Sequence, residues 1–141
     1  MNDIGDAGVT QLAECLRVNV TLKRLNLYSC YLYDAGATKL AECLRFNTTL
    51  TILDLDNNGI GDAGATQLAQ CLRVNTALAS LELCDNSIGI AGATELVASL
   101  RLNATLTSLN LSTNDIKEEP DLAAFNALLA ACPPHCKLIC A

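Results

Sequence analysis

Apolar and polar residues alternate along this chain in a pattern that returns every 28 residues. The stretch 50–60, LTILDLDNNGI, follows the pattern L-x-x-L-x-L-x-x-N-x-I. Copies of that pattern begin at Leu22, Leu50, Leu78 and Leu106, with Cys30 in the asparagine position of the first copy. The central L-x-L alternation predicts a short strand with one buried face in each unit. The asparagines Asn58, Asn86 and Asn114 are expected to turn inward and bond backbone groups along the strands.

A helical pattern follows each strand. In the first unit, a helix from Asp6 to about Val18 would carry one apolar face made of Val9, Leu12, Ala13 and Leu16. The same face returns in the next three units. Asp6, Asp34 and Asp62 stand where an N-cap is expected, and Ile90 takes that place in the fourth unit, whose helix should lack the cap. A glycine two residues later suggests a close approach of helix and strand backbones.

An arginine closes each helix, where a cation suits the negative end of the helix dipole. The four residues are Arg17, Arg45, Arg73 and Arg101. A basic binding stripe is the alternative interpretation of this column of arginines.

Asn19, Asn47, Asn103 and Asn110 lie in N-x-T/S triplets typical of glycosylation acceptors. The first three recur just past a helix end, so helix capping is the favoured interpretation.

Each unit is thus a strand, a loop, a helix and a loop, and no unit buries its leucines alone. The sequence N-x-I-G-D-A-G-A-x-x-L-A-x-C-L-R-x-N-x-x-L-x-x-L-x-L, from Asn58 to Leu83, resembles the leucine-rich repeats of the ribonuclease inhibitor and of NOD-like immune receptors. The resemblance implies an α/β solenoid: a right-handed β–α superhelix forming a curved horseshoe segment, with a concave parallel sheet and outer helices. We expect one domain over 1–141, with about four and a half repeats.

The two ends depart from the repeat. Residues 117–141 are expected to form a C-terminal cap, with a helix from about Glu119 to Ala131, a stop at Pro133–Pro134 and a last short strand. Residues 2–5 match a loop that follows a strand in later units. The edge of the strand from Leu22 to Leu27 is therefore expected to be exposed and open to pairing. Either this chain is a fragment of a longer array, or another copy covers that edge.

Composition limits the classes of function. The formal charge of −6 argues against nucleic acid and favours a basic partner. No apolar run approaches the ~18 residues that a membrane span needs. No secretory signal follows Met1, so we expect a cytoplasmic protein.

Cys15, Cys43 and Cys71 share one repeat position, and stacked helices hold such positions roughly 10 Å apart. That spacing is too wide for disulfides, so they are expected to be small buried residues.

Function is expected at the positions that do not repeat. Strand residues between the inward leucines face the other way and form what we call the concave face. These positions are Arg24, Asn26, Tyr28, Ile52, Asp54, Asp56, Ser80, Glu82, Cys84, Ser108, Asn110 and Ser112. Adjacent strands lie ~4.8 Å apart, so Asp54, Asp56, Glu82 and nearby Asp85 should form one acidic patch. Tyr28, Tyr31 and Tyr33 cluster in the first repeat, either as a binding hot spot or as a shield for an open end.

No residues are placed for catalysis or for a cofactor, and no phosphate loop or nucleotide fingerprint appears. The acidic patch is interpreted as a solvated face and not as an acid–base pair. Cys132, His135, Cys136 and Cys140 are a poor match to the two separated ligand pairs of a zinc site, and whether they bind metal stays open. The sequence therefore predicts a non-enzymatic scaffold that binds a basic protein on its concave face. The alternative is a structural module that self-associates through its N-terminal edge.

Overall fold

The computed structural model describes residues 4–116 and 122–140, in which helices and strands alternate as the repeat pattern predicts. The helices are α1 (Gly5–Val18), α2 (Tyr33–Leu44), α3 (Asp62–Leu72), α4 (Ile90–Ser99) and α5 (Leu122–Ala131). The strands are β1 (Arg24–Asn26), β2 (Ile52–Asp54), β3 (Ser80–Glu82), β4 (Ser108–Asn110) and β5 (Lys137–Ile139). No helix within these ranges is long and apolar enough to cross a bilayer.

The five strands form one parallel sheet in the order β1-β2-β3-β4-β5. Strands one repeat apart pair in register, so Leu25 lies beside Leu53 and Leu53 beside Leu81. The leucines on the inner face of the sheet pack against the helices, and Leu53, Leu81 and Leu109 are fully buried. This arrangement confirms the predicted solenoid with its parallel sheet and helical layer. It also gives every strand position the same neighbours in each repeat.

The helices pack through small residues and leucines. Ala37, Leu40 and Ala41 of α2 are buried at 0 to 3% exposure, and the equivalent residues of α3 and α4 are equally buried. Cys43 and Cys71 lie at the same buried helix contacts, as expected for small residues. The prediction is wrong for Cys15, which is exposed on α1. Alanine at the contacts lets neighbouring helices approach closely, and the leucines fill the space between helix and sheet.

A ladder of asparagines joins successive repeats beside the sheet. The Asn58 side chain accepts hydrogen bonds from the backbone amides of Cys30 and Leu32, at 2.9 and 3.3 Å, and donates to the carbonyl of Leu27. Asn86 makes the same contacts one repeat later, to Asn58, Ile60 and Leu55. The inward orientation predicted for these asparagines is confirmed. Each one satisfies polar backbone groups of the preceding repeat that would otherwise be buried without partners.

The predicted N-caps are wrong in one respect: the aspartates cap the helix of the next repeat and not their own. Asp34 lies inside the first turn of α2 and makes no cap bond there. Its carboxylate instead accepts hydrogen bonds from the amides of Gly61 and Gly64 at the start of α3, at 2.8 and 2.9 Å. Asp62 does the same for α4. Helix α4 is therefore capped although Ile90 replaces aspartate in its own repeat. The Asp6 side chain lies outside the described residues.

The first-turn glycines make room for these carboxylates. A Cβ atom on Gly64 would lie 2.7 Å from Oδ1 of Asp34, and one on Gly92 would lie 2.6 Å from Oδ1 of Asp62. Alanines of the neighbouring helix, Ala37 and Ala65, are also within about 3 Å of those two points. The expected approach of helix and strand backbones is therefore wrong. Gly64 and Gly92 are needed because the preceding repeat places a cap at each of these points, whereas a Cβ atom on Gly36 would meet the Leu32 side chain at 2.9 Å.

A second ladder runs along the other ends of the helices. The Asn75 amide donates to the carbonyls of Leu44 and Asn47, at 2.7 and 3.1 Å, and its oxygen accepts from Ala77 and Leu78. Asn47 and Asn103 occupy the same role one repeat before and after. The capping interpretation is borne out for Asn47 and Asn103, but the helix that is capped belongs to the preceding repeat. Since both amide protons are used and the side chains are buried, these asparagines are structural. Within the described residues the Asn19 side chain bonds to its own loop.

The C-terminal segment adds the last helix and the last strand of the described residues. Helix α5 ends at Ala131, before Pro133, and β5 adds a fifth parallel strand beside β4. The predicted helix start near Glu119 lies outside the described residues. His135 continues the second ladder, because its Nε2 atom lies 2.9 Å from the carbonyl oxygen of Asn103. In earlier repeats an asparagine amide fills that place.

Candidate functional site

The strand residues of the predicted concave face lie in register across the sheet. One row aligns Arg24, Ile52, Ser80 and Ser108, and the next aligns Asn26, Asp54, Glu82 and Asn110. All of these side chains are half-buried or exposed, whereas the alternating leucines are buried in β2, β3 and β4. Parallel pairing with a constant offset therefore brings together residues that lie 28 positions apart in the sequence.

The acidic residues of this face lie close enough to interact. The Asn26 amide donates to Oδ2 of Asp54 at 2.7 Å across β1 and β2. The Cys84 backbone amide donates to Oδ1 of Asp56 at 2.6 Å across the next pair of repeats. Glu82 accepts a hydrogen bond from the Ser80 hydroxyl within its own strand. These bonds hold the carboxylates in place, and none of them comes from a cationic side chain.

Asp56 is the carboxyl group most affected by this environment. Partial burial raises its pKa, the hydrogen bond from the Cys84 amide lowers it, and the negative charges of Asp54, Glu82 and Asp85 raise it further. The pKa of Asp56 is thereby raised from 3.8 to about 6. Three neighbouring carboxylates act on one group, which shows that the four acidic residues share a single electrostatic environment.

The tyrosines gather at the first repeat. Tyr28, Tyr31 and Tyr33 are exposed at 56, 40 and 56%, and the rings of the last two lie 6.4 Å apart. The Tyr33 ring also lies over Gly59, where a Cβ atom would come within 2.9 Å of it. Gly59 itself has a φ angle of +65°, which favours glycine on its own account. Tyr33 thus contacts the next repeat at Gly59, just as Asp34 contacts that repeat at Gly61.

Sequence reasoning missed two residues of the concave face. Strand β5 pairs Lys137 with Ser108 and Ile139 with Asn110, so both rows extend by one strand. Lys137 is exposed and Ile139 is half-buried. The signal for them is the alternation K-L-I after the two prolines, in which Leu138 takes the place of an inward leucine. The row that begins with Arg24 therefore also ends with a cation, and the acidic residues lie between the two.

The cysteines and carboxylates of the described ranges form no arrangement in which three His, Cys, Asp or Glu side chains would hold a metal ion. All eight cysteines are free thiols. Burial, together with the nearby Cys132, raises the pKa of Cys136 and Cys140 to about 11. Burial raises the pKa of Cys71 to about 12. These thiols stay protonated at neutral pH, which makes them weak nucleophiles and weak metal ligands.

Comparisons with known proteins identify the repeat. The leucine rich repeat family profile matches residues 46–69 and 102–119. A solved structure titled Leiomodin-1 Actin-Binding Site 2 superposes with a TM-score of 0.81 at 22% identity, covering 92% of this chain and 76% of that one. The tropomodulin C-terminal domain of Caenorhabditis elegans gives a TM-score of 0.77 at 16% identity, covering 87% and 74%. A search of curated proteins finds no match.

These findings confirm the fold class. The chain is a leucine-rich-repeat solenoid in which β-strands and α-helices alternate around a five-stranded parallel sheet. At 22 and 16% identity, the two structural likenesses concern the fold alone. The concave-face residues and their role remain a prediction, because a shared fold accommodates many different partners.

Proposed function

We propose that this chain is a non-enzymatic protein-binding module that captures a partner with a basic surface on its concave face. The observation that carries the proposal is the shared environment of Asp54, Asp56, Glu82 and Asp85, in which burial and the three neighbouring carboxylates raise the pKa of Asp56. Such a concentration of like charge costs folding energy. A cationic partner removes that cost on binding, so the patch favours association with a basic surface.

The tyrosines supply apolar area beside this patch. Tyr28 lies two residues after β1, in the repeat next to that of Asp56, and is more than half exposed. Tyrosine buries a large area with little loss of side-chain entropy, which makes it frequent among binding hot spots. A partner that brings lysine or arginine to the acidic patch and an apolar contact to Tyr28 would use both features.

The experiment replaces Asp54 and Glu82 by lysine and measures capture of an immobilised basic partner. We expect capture to fall at least about tenfold, because each reversal turns attraction into repulsion. Glu14→Lys with Glu42→Lys is the matched control: the same charge change is made on the helices, and capture should be retained. Circular dichroism reports whether each variant is folded. Equal loss in both double variants would refute binding at the concave face.

Actin is the first partner to test by name, because the chain shares its fold with a leiomodin-1 domain titled as an actin-binding site. Co-sedimentation with actin filaments and native electrophoresis with monomeric actin would detect either form. Reduced binding by the Asp54→Lys, Glu82→Lys variant would place actin on the concave face. Binding that is unchanged in this variant would assign actin to another surface.

Self-association through the N-terminal edge is the second candidate. Within the described residues β1 is an edge strand, paired only with β2, and Leu22 next to it is 36% exposed. A second copy, or a preceding repeat of a longer array of the innate-immune-receptor type, would cover that edge. Light scattering at increasing concentration tests self-association, and a constant monomer mass would exclude it.

A further inference from the structure

The loops that join each helix to the next strand carry a feature that the concave face does not explain. In segments 17–23, 45–51, 73–79 and 101–107, an arginine comes first and a large apolar residue comes second. We call these second residues the apolar row: Val18, Phe46, Val74 and Leu102. They are exposed at 76, 61, 52 and 72%. Single exposed apolar residues are ordinary, but four at one repeat position form a continuous surface feature.

Packing within the fold does not account for the row. In the second repeat, Leu44 and Asn47 lie on either side of Phe46 in the sequence and are buried, at 1 and 3% exposure, whereas Phe46 is exposed. Its recorded contact is with the guanidinium of Arg17, which lies 4.8 Å from the ring centre. The position is filled by valine, phenylalanine or leucine but remains apolar throughout. A position that keeps its apolar character while contributing little burial indicates contact with something outside the chain.

Charge within the four loop segments that carry the row has one sign. We call the same four segments the cationic edge, because they hold five of the nine lysines and arginines and none of the fifteen aspartates and glutamates. Arg73 is paired with Glu95 of α4 at 3.0 Å. Within the described residues, neither Arg45 nor Arg101 has a carboxylate partner. On a chain with a net charge of −6, this edge is a local cationic surface suited to an anionic ligand.

The cationic edge is rigid. Asn47, Asn75 and Asn103 follow the row by one residue, and each ties its loop to the preceding repeat through its amide group. Their side-chain oxygens also accept bonds from backbone amides two and three residues later, as Asn75 does from Ala77 and Leu78. The loops are therefore ordered before any partner arrives. Binding to such a surface loses little conformational entropy.

We propose that the cationic edge docks an acidic amphipathic helix of a partner protein. The apolar side of that helix would pack along the row, and its carboxylates would pair with Arg45 and Arg101. Successive repeats place apolar anchors about 5 to 10 Å apart, between the strand and helix spacings. A helix presents apolar side chains at each ~5.4 Å turn, so one face of a single helix follows the row.

Two other occupants fit the surface less well. A second copy of this chain offers tyrosines beside acidic residues, but Tyr28, Tyr31 and Tyr33 all belong to its first repeat and match only a part of the row. An anionic membrane is an extended surface and would also meet Glu14 and Glu42, which lie one turn before Arg17 and Arg45. Glu14 and Glu42 line one surface depression with Arg17 and Phe46, so a helix meets them there as well. The same repeat position holds Gln70 and Ala98 in the next two units, so a helix one row wide meets no glutamate at that position beside Val74 and Leu102.

The test uses a fluorescent synthetic helix of about 18 residues with leucines at positions i, i+4, i+7 and i+11 and glutamate elsewhere. Fluorescence anisotropy measures its binding to the whole chain. We expect saturable binding that Phe46→Ser with Leu102→Ser weakens at least about tenfold. Arg45→Glu with Arg101→Glu should weaken it by a similar factor. Leu129→Ser, at a residue 44% exposed on α5, is the matched control and should bind as the parent does.

Each remaining outcome overturns the proposal. No binding of the glutamate peptide, or equal binding of a peptide with lysine in place of glutamate, removes the acidic helix as the occupant. Row-dependent binding to vesicles containing phosphatidylserine, without binding of the peptide, assigns the edge to a membrane. Row-dependent self-association in light scattering assigns it to a second copy. The concave-face variants Asp54→Lys and Glu82→Lys leave this edge intact, so the two proposals succeed or fail independently.

Discussion

At the scale of single residues, Asp56 is where folding and the proposed binding conflict. Partial burial and, to a lesser extent, three neighbouring carboxylates raise its pKa to about 6. In the unfolded chain the same group titrates near 3.9. Between these values the folded state holds more protons than the unfolded state. The stability of the fold should therefore fall as the pH rises from about 4 to about 6.

Asp56→Asn removes this titration while keeping an oxygen that accepts the hydrogen bond of the Cys84 amide. We expect the variant to match the parent in stability near pH 4. Above pH 6 it should be more stable by about 1 to 2 kcal/mol, after allowance for solvent screening at a half-buried site. Urea unfolding across this pH range measures the difference. Parallel stability profiles for the two proteins would show that Asp56 is not the responsible group.

The same environment explains why Asp56 is a stronger candidate for recognition than an ordinary surface carboxylate. An identical repeat position holds Tyr28, Cys84 or Ser112 in the other units. The fold therefore tolerates uncharged residues at this point and does not require the aspartate. Because the fold does not require an aspartate here, contact with a binding partner is the better explanation for its presence.

At the scale of helices, the caps couple one repeat to the next. Asp62 accepts bonds from Gly89 and Gly92 at the start of α4, although it lies in α3. Asp62→Ala should cost about 1 to 2 kcal/mol. Amide hydrogen exchange should accelerate at Gly92 and the following turn of α4, with the first turn of α3 unchanged. Asp62→Asn keeps an accepting oxygen and should restore most of the protection. Faster exchange confined to α3 would support an ordinary cap within one helix.

This coupling marks the limit of what a repeated sequence predicts. The leucine spacing predicts the strands, their common register and the helix faces, because each of these depends on the local period. Asp34 and Gly61 are 27 residues apart in the sequence. A contact between them recurs with the same 28-residue period as a contact within one repeat. The sequence alone does not distinguish the two. The assignment of the caps to their own helices was wrong for that reason, and the fourth helix was wrongly expected to lack a cap.

The sequence likewise predicts one part of the candidate site and not the rest. The positions of the concave face were predictable from strand alternation, and the sheet brings Asp54 and Glu82 into one row. Lys137 and Ile139 were missed because β5 comes 29 residues after β4, outside the regular spacing. Sequence reasoning misses the apolar row because a residue that recurs in every repeat is expected to belong to the scaffold. Only its exposure separates it from the buried positions on either side.

At the scale of the whole molecule, the interactions that join the elements of structure are mostly made between adjacent repeats. Strand pairing, helix packing, both asparagine ladders and the aspartate caps each join one unit to its neighbour. Stability in such a stack is a sum of nearest-neighbour terms. A residue at one repeat position should therefore contribute according to the number of neighbouring units that it contacts, and not only according to its type.

Asn19 and Asn75 test this directly, because they occupy the same repeat position with different neighbours. Within the described residues, the Asn19 side chain bonds only to Thr21 and Leu22 in its own loop, whereas that of Asn75 also donates to Leu44 and Asn47 of the preceding repeat. Asn19→Ala should cost about 1 kcal/mol. Asn75→Ala also leaves two buried carbonyls without partners and should cost about 3 kcal/mol or more. Urea midpoints at a constant m-value measure both, and equal costs would show that the ladder does not couple the repeats.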